Sequence, residues 1–515
     1  MDGAESLVRT AIACGIKVCF ANPGTTEMPL VAAIDKVDGI RPVLGLFEGV
    51  CSGAADGYAR MTSRPAMTLL HLGPGFANSI ANFHNARRAR SPVLNVIGDH
   101  ATWHAAFDAP LTSDILSLAR PVSGWIRSVR SAERLAEDTA EAIAAAGTYP
   151  GRVATLIVPS NCQWDPAEGP AEPLTPQPLA PVSDEAVELA AEFLQSGARP
   201  ALFLGSPALQ GQALASVARI AAGTGCGLVC ETFPARVERG PGRPAVVRLP
   251  YFPEQALEAL SQFTSIVIVG ARKPVAFFGY PDRSSSLIPT GVKVTRLAEP
   301  EQDVAGALEA LASLMSAPLS PAATPYPERP PRPKGPINSA TIGAAFAAVA
   351  PENCIVMEEG ATSGFNFFVH TGGAPTHTYL SLTGGSIGQG LPCATGAAIA
   401  SPDRKVICLQ ADGGGLYTLQ ALWTNARESL DVVTLICNNR RYRILQIELG
   451  RAGITEPGPK ALSLTSLENP EIDWVKLAQG MGTPAVRVDD AEVLARELER
   501  ALSEPGPHLI EMRME

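Results

Sequence analysis

Short apolar runs alternate with helix-like stretches along most of the chain, and that alternation limits the possible fold more than any other feature. AMTLLHL, PVLNVIGD and RVATLIVPS lie in the first third, PALFLGS and SIVIVGA in the middle, and KVICLQAD, DVVTLICNN and HLIEMRM in the last. A strand that is apolar at successive positions has no face to offer water, so such runs belong to parallel sheets covered by helices on both sides. The covering helices are read at GFANSIANFHNARRARS, QALASVARIAAGTG, YTLQALWTNARES and AEVLARELERALSEP. Two proline-rich stretches, 165–183 and 317–336, interrupt the pattern. Proline fixes φ and lacks the donor N–H, so neither stretch can be a helix or a central strand. The expected fold class is α/β, with three units in series at 1–165, 183–316 and 337–515, a division that suits a chain of 515 residues.

Composition narrows the function classes. Hydrophobic residues make up 46% and charged residues 18%, which is ample for buried cores and far from the balance of a disordered chain. The net charge of −10 comes without a basic tract, so a nucleic-acid partner is not expected. No apolar run reaches the length of a membrane span, and the Met1 end lacks a basic segment followed by an apolar one. A cytoplasmic protein is expected. Of the ten cysteines, Cys19, Cys408 and Cys437 sit inside apolar runs, as small buried hydrophobes do. Cys226 and Cys230 are four apart, with no second pair or nearby histidine to complete a zinc site. Disulfides are not expected.

The last third carries the most specific pattern. The apolar run KVICLQ leads into Ala411-Asp412-Gly413-Gly414-Gly415, and the next run, VVTLIC, ends in Asn438-Asn439. In a parallel sheet these two ends lie side by side, on the edge where open α/β sheets bind ligands. Glycines there let backbone N–H groups approach a phosphate. A carboxylate and an amide oxygen, with diphosphate oxygens and water, make an octahedral oxygen site suited to Mg²⁺. The segment resembles the thiamine-diphosphate motif, which opens on Gly-Asp-Gly and closes on Asn-Asn, and Asn439 follows Asp412 at that family's spacing. The resemblance implies thiamine diphosphate and Mg²⁺ as cofactors. Asp412, Asn439 and the Arg441 backbone carbonyl would be metal ligands, with Gly413 and Gly414 against the diphosphate. Ala411 departs from the motif's first glycine, a change that negative φ tolerates. Upstream, GGSIGQGLP looks like the family's loop beneath the cofactor. By that likeness the Gly385 carbonyl would accept a hydrogen bond from the aminopyrimidine, and Ile387 would be the apolar wedge that bends the cofactor. Ala361 and Thr362, after CIVMEE, fall where the family places diphosphate contacts.

Glu48 follows the apolar run VLGLF. A carboxylate at the end of a buried strand is costly without a partner, and a place in the first turn of a helix would account for it. The run GAADGYAR at 53–60, however, is similar to the one that follows the activating glutamate of the same family. The resemblance implies that Glu48 bonds the pyrimidine ring nitrogen and so promotes loss of the thiazolium proton, the cofactor carrying the chemistry and the protein orienting it. It also implies a homodimer or homotetramer whose active sites lie at the subunit interface.

Asn22-Pro23-Gly24-Thr25 resembles a turn of benzoylformate decarboxylases, with Thr25 where a serine meets the substrate carboxylate; the plain alternative is a Pro-Gly turn capped by threonine. His71 falls where those enzymes carry a catalytic histidine. Gly73-Pro74-Gly75-Phe76-Ala77-Asn78 looks instead like acetolactate synthase, and VAFFGYP offers Phe277 and Phe278 where the decarboxylases have a second histidine. Arg272 and Lys273 suit an anionic substrate or simply a solvated surface. GSPALQG is too loose for a dinucleotide loop, so FAD is not expected. Over the whole chain the resemblance implies three Rossmann-like domains with parallel sheets, in the order pyrimidine-binding, central, diphosphate-binding. The implied activity is decarboxylation of a 2-oxo acid to CO₂ and an aldehyde. The alternatives are an acetolactate-synthase-like carboligase that joins the same carbon to a second carbonyl compound, a cofactor-binding protein without catalysis, and a plain nucleotide-binding α/β protein.

Overall fold

The computed structural model describes residues 1–175, 177–281, 283–320 and 326–514; residues 176, 282, 321–325 and 515 lie outside the described residues. Three sheets follow one another along the chain. The first comprises β1 (Val18–Asn22), β2 (Arg41–Leu44), β3 (Ala66–His71), β4 (Val93–Asp99), β5 (Trp125–Ser128) and β6 (Val153–Pro159). Its order is β2-β1-β3-β4-β6-β5, and every described pairing is parallel. The middle sheet holds β7 (Pro200–Leu204), β8 (Gly227–Cys230), β10 (Val247–Arg248), β11 (Ser265–Val269) and β12 (Lys293–Ala298), in the order β10-β8-β7-β11-β12, again parallel. The third holds β13 (Cys354–Glu359), β14 (His377–Ser381), β15 (Val406–Ala411), β16 (Val432–Asn438), β17 (Ala485–Val488) and β18 (His508–Arg513). β9 (Val237–Arg239) is built from the middle of the chain yet pairs antiparallel with β14, closing the third sheet in the order β17-β18-β16-β15-β13-β14-β9. The eight apolar runs of the sequence are all strands, and β4, β6, β7, β11 and β16 are buried along nearly their whole length.

The helix expected over YTLQALWTNARES is shorter, covering Ala421–Arg427. The residues before it are held elsewhere: the Thr418 hydroxyl donates to the Gly388 carbonyl at 2.8 Å, and Asp412–Gly415 makes a single helical turn of its own.

The parts share cores. One apolar cluster runs from Phe20 and Leu70 of the first sheet to Met357 and Cys408 of the third, and another joins Leu202 of the middle sheet to Val356 and Leu435. Between the first and third sheets the helix Glu48–Thr62 lies against the helix Gly390–Ala400 at backbone contact. A Cβ on Gly396 would overlap the Ala54 carbonyl, and one on Gly57 would overlap the Cys393 carbonyl. Beside this contact Arg60 and Asp56 form a buried two-pronged ion pair, at 2.8 and 2.7 Å. Burying an ion pair costs several kcal/mol per charge unless its remaining hydrogen-bonding capacity is met. Here it is met from all three parts: Arg60 donates to the Ser381 carbonyl, Thr383 Oγ1 and, at 3.3 Å, the Ala235 carbonyl, and the Asp56 carboxylate accepts from Ser91 and Gln389. Arg248 of β10 reaches Glu358 of β13 at 3.2 Å and the Phe365 carbonyl at 3.0 Å. No helix among the described residues is long and apolar enough to cross a membrane.

Candidate active site

Parallel sheets direct the carboxyl ends of their strands to one edge, and each candidate residue of the first and third parts sits at or just past such an end. In the third sheet β15 and β16 pair in register up to Ala411 and Cys437. This sets Asp412 beside Asn438 and Asn439. Asp412 is buried; its Oδ1 accepts the Gly413 N–H at 2.8 Å and its Oδ2 the Arg440 N–H at 2.7 Å. Burial pushes its carboxyl up to about 6. Backbone N–H groups are its only described hydrogen-bond partners. Asn439 is buried too, its amide oxygen accepting the Arg441 N–H at 3.1 Å. Among the described residues no three His, Cys, Asp or Glu side chains gather to hold a metal. A divalent ion at Asp412 would therefore need oxygens from the amide, from backbone carbonyls and from a ligand such as a diphosphate. The residues fit that demand.

The Gly384–Gly390 loop packs on this turn. Ile387 Cβ would lie 3.8 Å from a Cβ on Gly414. Gly385 adopts φ +76°, and the Phe277 ring covers it, its Cζ 2.5 Å from where a Cβ would stand. Only glycine suits that combination of backbone and neighbour. Phe277 continues into a group of rings with Phe233, Tyr251 and Phe278, at centroid distances of 5.8, 5.3 and 5.2 Å. Thr362 lies half-buried in a short 3₁₀ turn after β13, and Ala361, with φ +48°, is exposed beside it.

In the first sheet Glu48 is the first residue of its helix, where the positive end of the helix favours a carboxylate. It is half-buried, and its Oε2 accepts from Asn78 Nδ2 at 2.9 Å. His71 ends β3, its Nδ1 2.8 Å from Glu27 Oε2 and 3.2 Å from Thr26 Oγ1. Glu27 is wholly buried; it also accepts the Gly24 N–H at 2.7 Å and the Thr26 hydroxyl. Facing a carboxylate, Nδ1 carries the ring proton, which leaves Nε2 as the acceptor. Thr25 is exposed at the start of the same 3₁₀ turn, so the hydroxyl that reaches His71 is Thr26's. Reading the sequence missed Glu27, whose signal was the spacing of a reach-back carboxylate three residues after the turn glycine. It also missed Glu359, the second acid of CIVMEE. Arg272 and Lys273 line a cavity of about 900 Å³ with Arg88, Arg90 and Glu231, and Phe277 and Gly384 of the loop region border it too.

Burial pushes Glu231 and Glu359 up to about 7. With Asp412, these three carboxyls hold protons in the folded chain that they lose when unfolded. Between about pH 4.5 and 7 these three carboxyls bind more protons folded than unfolded, which outweighs the opposite pull of His377, pushed down to about 4 by burial, and stability falls as pH rises. Carboxyls held low by ion pairs, such as Glu254 near about 2, act below this window. Scanning calorimetry of the cofactor-free protein is expected to give a lower melting temperature at pH 7.5 than at pH 5.5.

Comparisons with known proteins give the family. Residues 1–118 match the family model for the thiamine pyrophosphate enzyme N-terminal TPP binding domain, and residues 362–512 match that for the C-terminal TPP binding domain. The chain is 47% identical to the Mycobacterium tuberculosis protein named "Putative acetolactate synthase large subunit IlvX", over 99% of both chains. It is 28% identical to benzoylformate decarboxylase of Pseudomonas aeruginosa, over 97% of this chain and 96% of that one. The solved thiamine diphosphate-dependent 4-hydroxybenzoylformate decarboxylase of Rhodococcus jostii superposes with a TM-score of 0.86 at 26% identity, covering 100% of this chain and 99% of that one. The chain belongs to the thiamine pyrophosphate enzyme family and is a thiamine-diphosphate-dependent decarboxylase or carboligase.

Proposed function

We propose that the chain decarboxylates a 2-oxo acid with thiamine diphosphate and Mg²⁺, releasing CO₂ and an aldehyde. The observation that carries this reading is His71, held at Nδ1 by the buried Glu27, with Nε2 able to take up a proton from water and pass it to the carbon that becomes the aldehyde. Bound thiamine diphosphate would supply the nucleophilic carbon and the electron sink for CO₂ release. Asp412, Asn439 and the Arg441 carbonyl would hold the metal, with Gly413, Gly414 and Thr362 toward the diphosphate. Gly385 and Ile387 would seat the pyrimidine end, Glu48 would meet its ring nitrogen, and Thr25 or Thr26 would meet the substrate carboxylate. In this reading 1–165 is the pyrimidine-binding domain, 183–316 the central domain and 337–515 the diphosphate-binding domain. Leu46, Trp103 and Phe107, 45%, 66% and 76% exposed past the ends of β2 and β4, favour a second copy closing over the Glu48 edge in a homodimer or homotetramer.

A second reading, carboligation, is favoured by the name of the 47% identical relative and by phenylalanines at 277 and 278. The product decides between them. With thiamine diphosphate and Mg²⁺ present, pyruvate and benzoylformate are each expected to yield an aldehyde, and His71→Ala is expected to slow its release about 10²-fold. Acetolactate without aldehyde would sink the first reading.

A further inference from the structure

Glu359 closes β13 with a carboxylate that is 2% exposed. Three donors converge on it. The Gly388 N–H reaches Oε1 at 2.6 Å, Gln410 Nε2 reaches the same oxygen at 3.1 Å, and the Gly390 N–H reaches Oε2. Gly388 and Gly390 flank Gln389, so one side chain grips the chain at the point where the Gly384–Gly390 loop becomes a helix. The same Oε1 lies 2.8 Å from where a Cβ on Gly414 would stand, which places it behind the turn that starts at Asp412. Among the described residues the thiols of Cys393 and Cys408 lie close enough to the carboxyl to feel it, and its hydrogen-bond donors are all neutral. A buried carboxyl whose described partners are all neutral donors, from the Gly384–Gly390 loop and from β15, has no role in the mechanism above.

We propose that Glu359 is a positioning residue that sets the height of the Gly384–Gly390 loop over the Asp412–Gly415 turn, and through it the affinity for thiamine diphosphate. The proposal rests on the reading that loop and turn hold this cofactor. Only a carboxylate offers acceptors in both directions. An amide of the same size has one acceptor oxygen, so its NH₂ group would oppose one of the loop N–H groups and leave it unpaired in a buried place. Aspartate keeps both acceptors but is a methylene short of the loop.

The test is calorimetric titration of thiamine diphosphate, with Mg²⁺ present, into wild type, Glu359→Gln, Glu359→Asp and, as a control on the site, Asp412→Asn. Glu359→Gln is expected to weaken binding roughly tenfold and Glu359→Asp several-fold, while circular dichroism of the cofactor-free variants superposes on wild type. Wild-type affinity in both Glu359 variants, with Asp412→Asn impaired, would overturn the positioning role alone. Wild-type affinity in all three would overturn the reading of the site and the role with it. If Glu359→Gln does not fold, Glu359→Asp carries the test; if neither folds, the residue serves the fold and the proposal fails.

Discussion

Replacing Glu48 by glutamine is expected to lower turnover by about 10²- to 10⁴-fold while leaving the fold in place. The surroundings make the change clean. Glu48 is the first residue of its helix, only half-buried, and its one described side-chain partner is Asn78. A glutamine oxygen keeps the bond from Asn78 Nδ2. What the protein loses in stability is the carboxylate's attraction to the helix end, about 0.3–1 kcal/mol. What it loses in function is the group proposed to shift a proton on the pyrimidine ring. Thermal melting and steady-state turnover of the same preparation check both halves. Turnover at the wild-type level would remove Glu48 from the mechanism and revive the reading of a protein that binds the cofactor without using it.

Gly396→Ala should destabilise the protein by about 3 kcal/mol, against the gain of roughly 1 kcal/mol that alanine normally brings to a helix interior. The sign is set by what stands opposite. The added methyl would overlap the Ala54 carbonyl and crowd the Tyr58 N–H, both main-chain atoms of a buried helix. A side chain can rotate away from such a contact, whereas these atoms move only if the two helices separate. Separation would also pull on the Asp56–Arg60 pair and on Gln389. Gly57→Ala strains the same contact from the other side, so the double variant should lose less than the sum of the two. Urea unfolding gives the answer directly, and a raised midpoint for Gly396→Ala would show that the helices yield.

Much of the fold could be read from the residues, and the reason is local. A run such as VVTLICN or AMTLLH has no amphipathic alternative, so it can be only a strand buried on both faces. The family was legible because Glu48, Ile387, Asp412 and Asn439 sit in short motifs whose glycines and amides have few other uses. What stayed hidden depends on partners distant in sequence. Asp56 and Arg60 are visible as letters of a motif, yet their pairing with Gln389, Ser381 and Thr383 arises only when the two helices meet. Glu27 looks like an ordinary acid until Gly24, Thr26 and His71 close around it. β9 is three residues long, Val-Glu-Arg, and no periodicity can be read from so short a segment. The rings gathered beside Gly385 come from 233, 251 and 277, and nothing in the linear order announces that they touch.

Because β9 comes from the middle of the chain, the third sheet borrows its last rung from a part synthesised before it. A growing chain folds from its first residues onward, so β14 emerges from the ribosome to find a waiting partner. A fragment cut between the two would carry the full run of β13–β18 and still bare the outer main-chain groups of His377–Tyr379, an open edge that invites pairing with other molecules. The proline-rich stretch at 317–336 therefore marks where the polypeptide can be thinned, and it is a poor place to sever it.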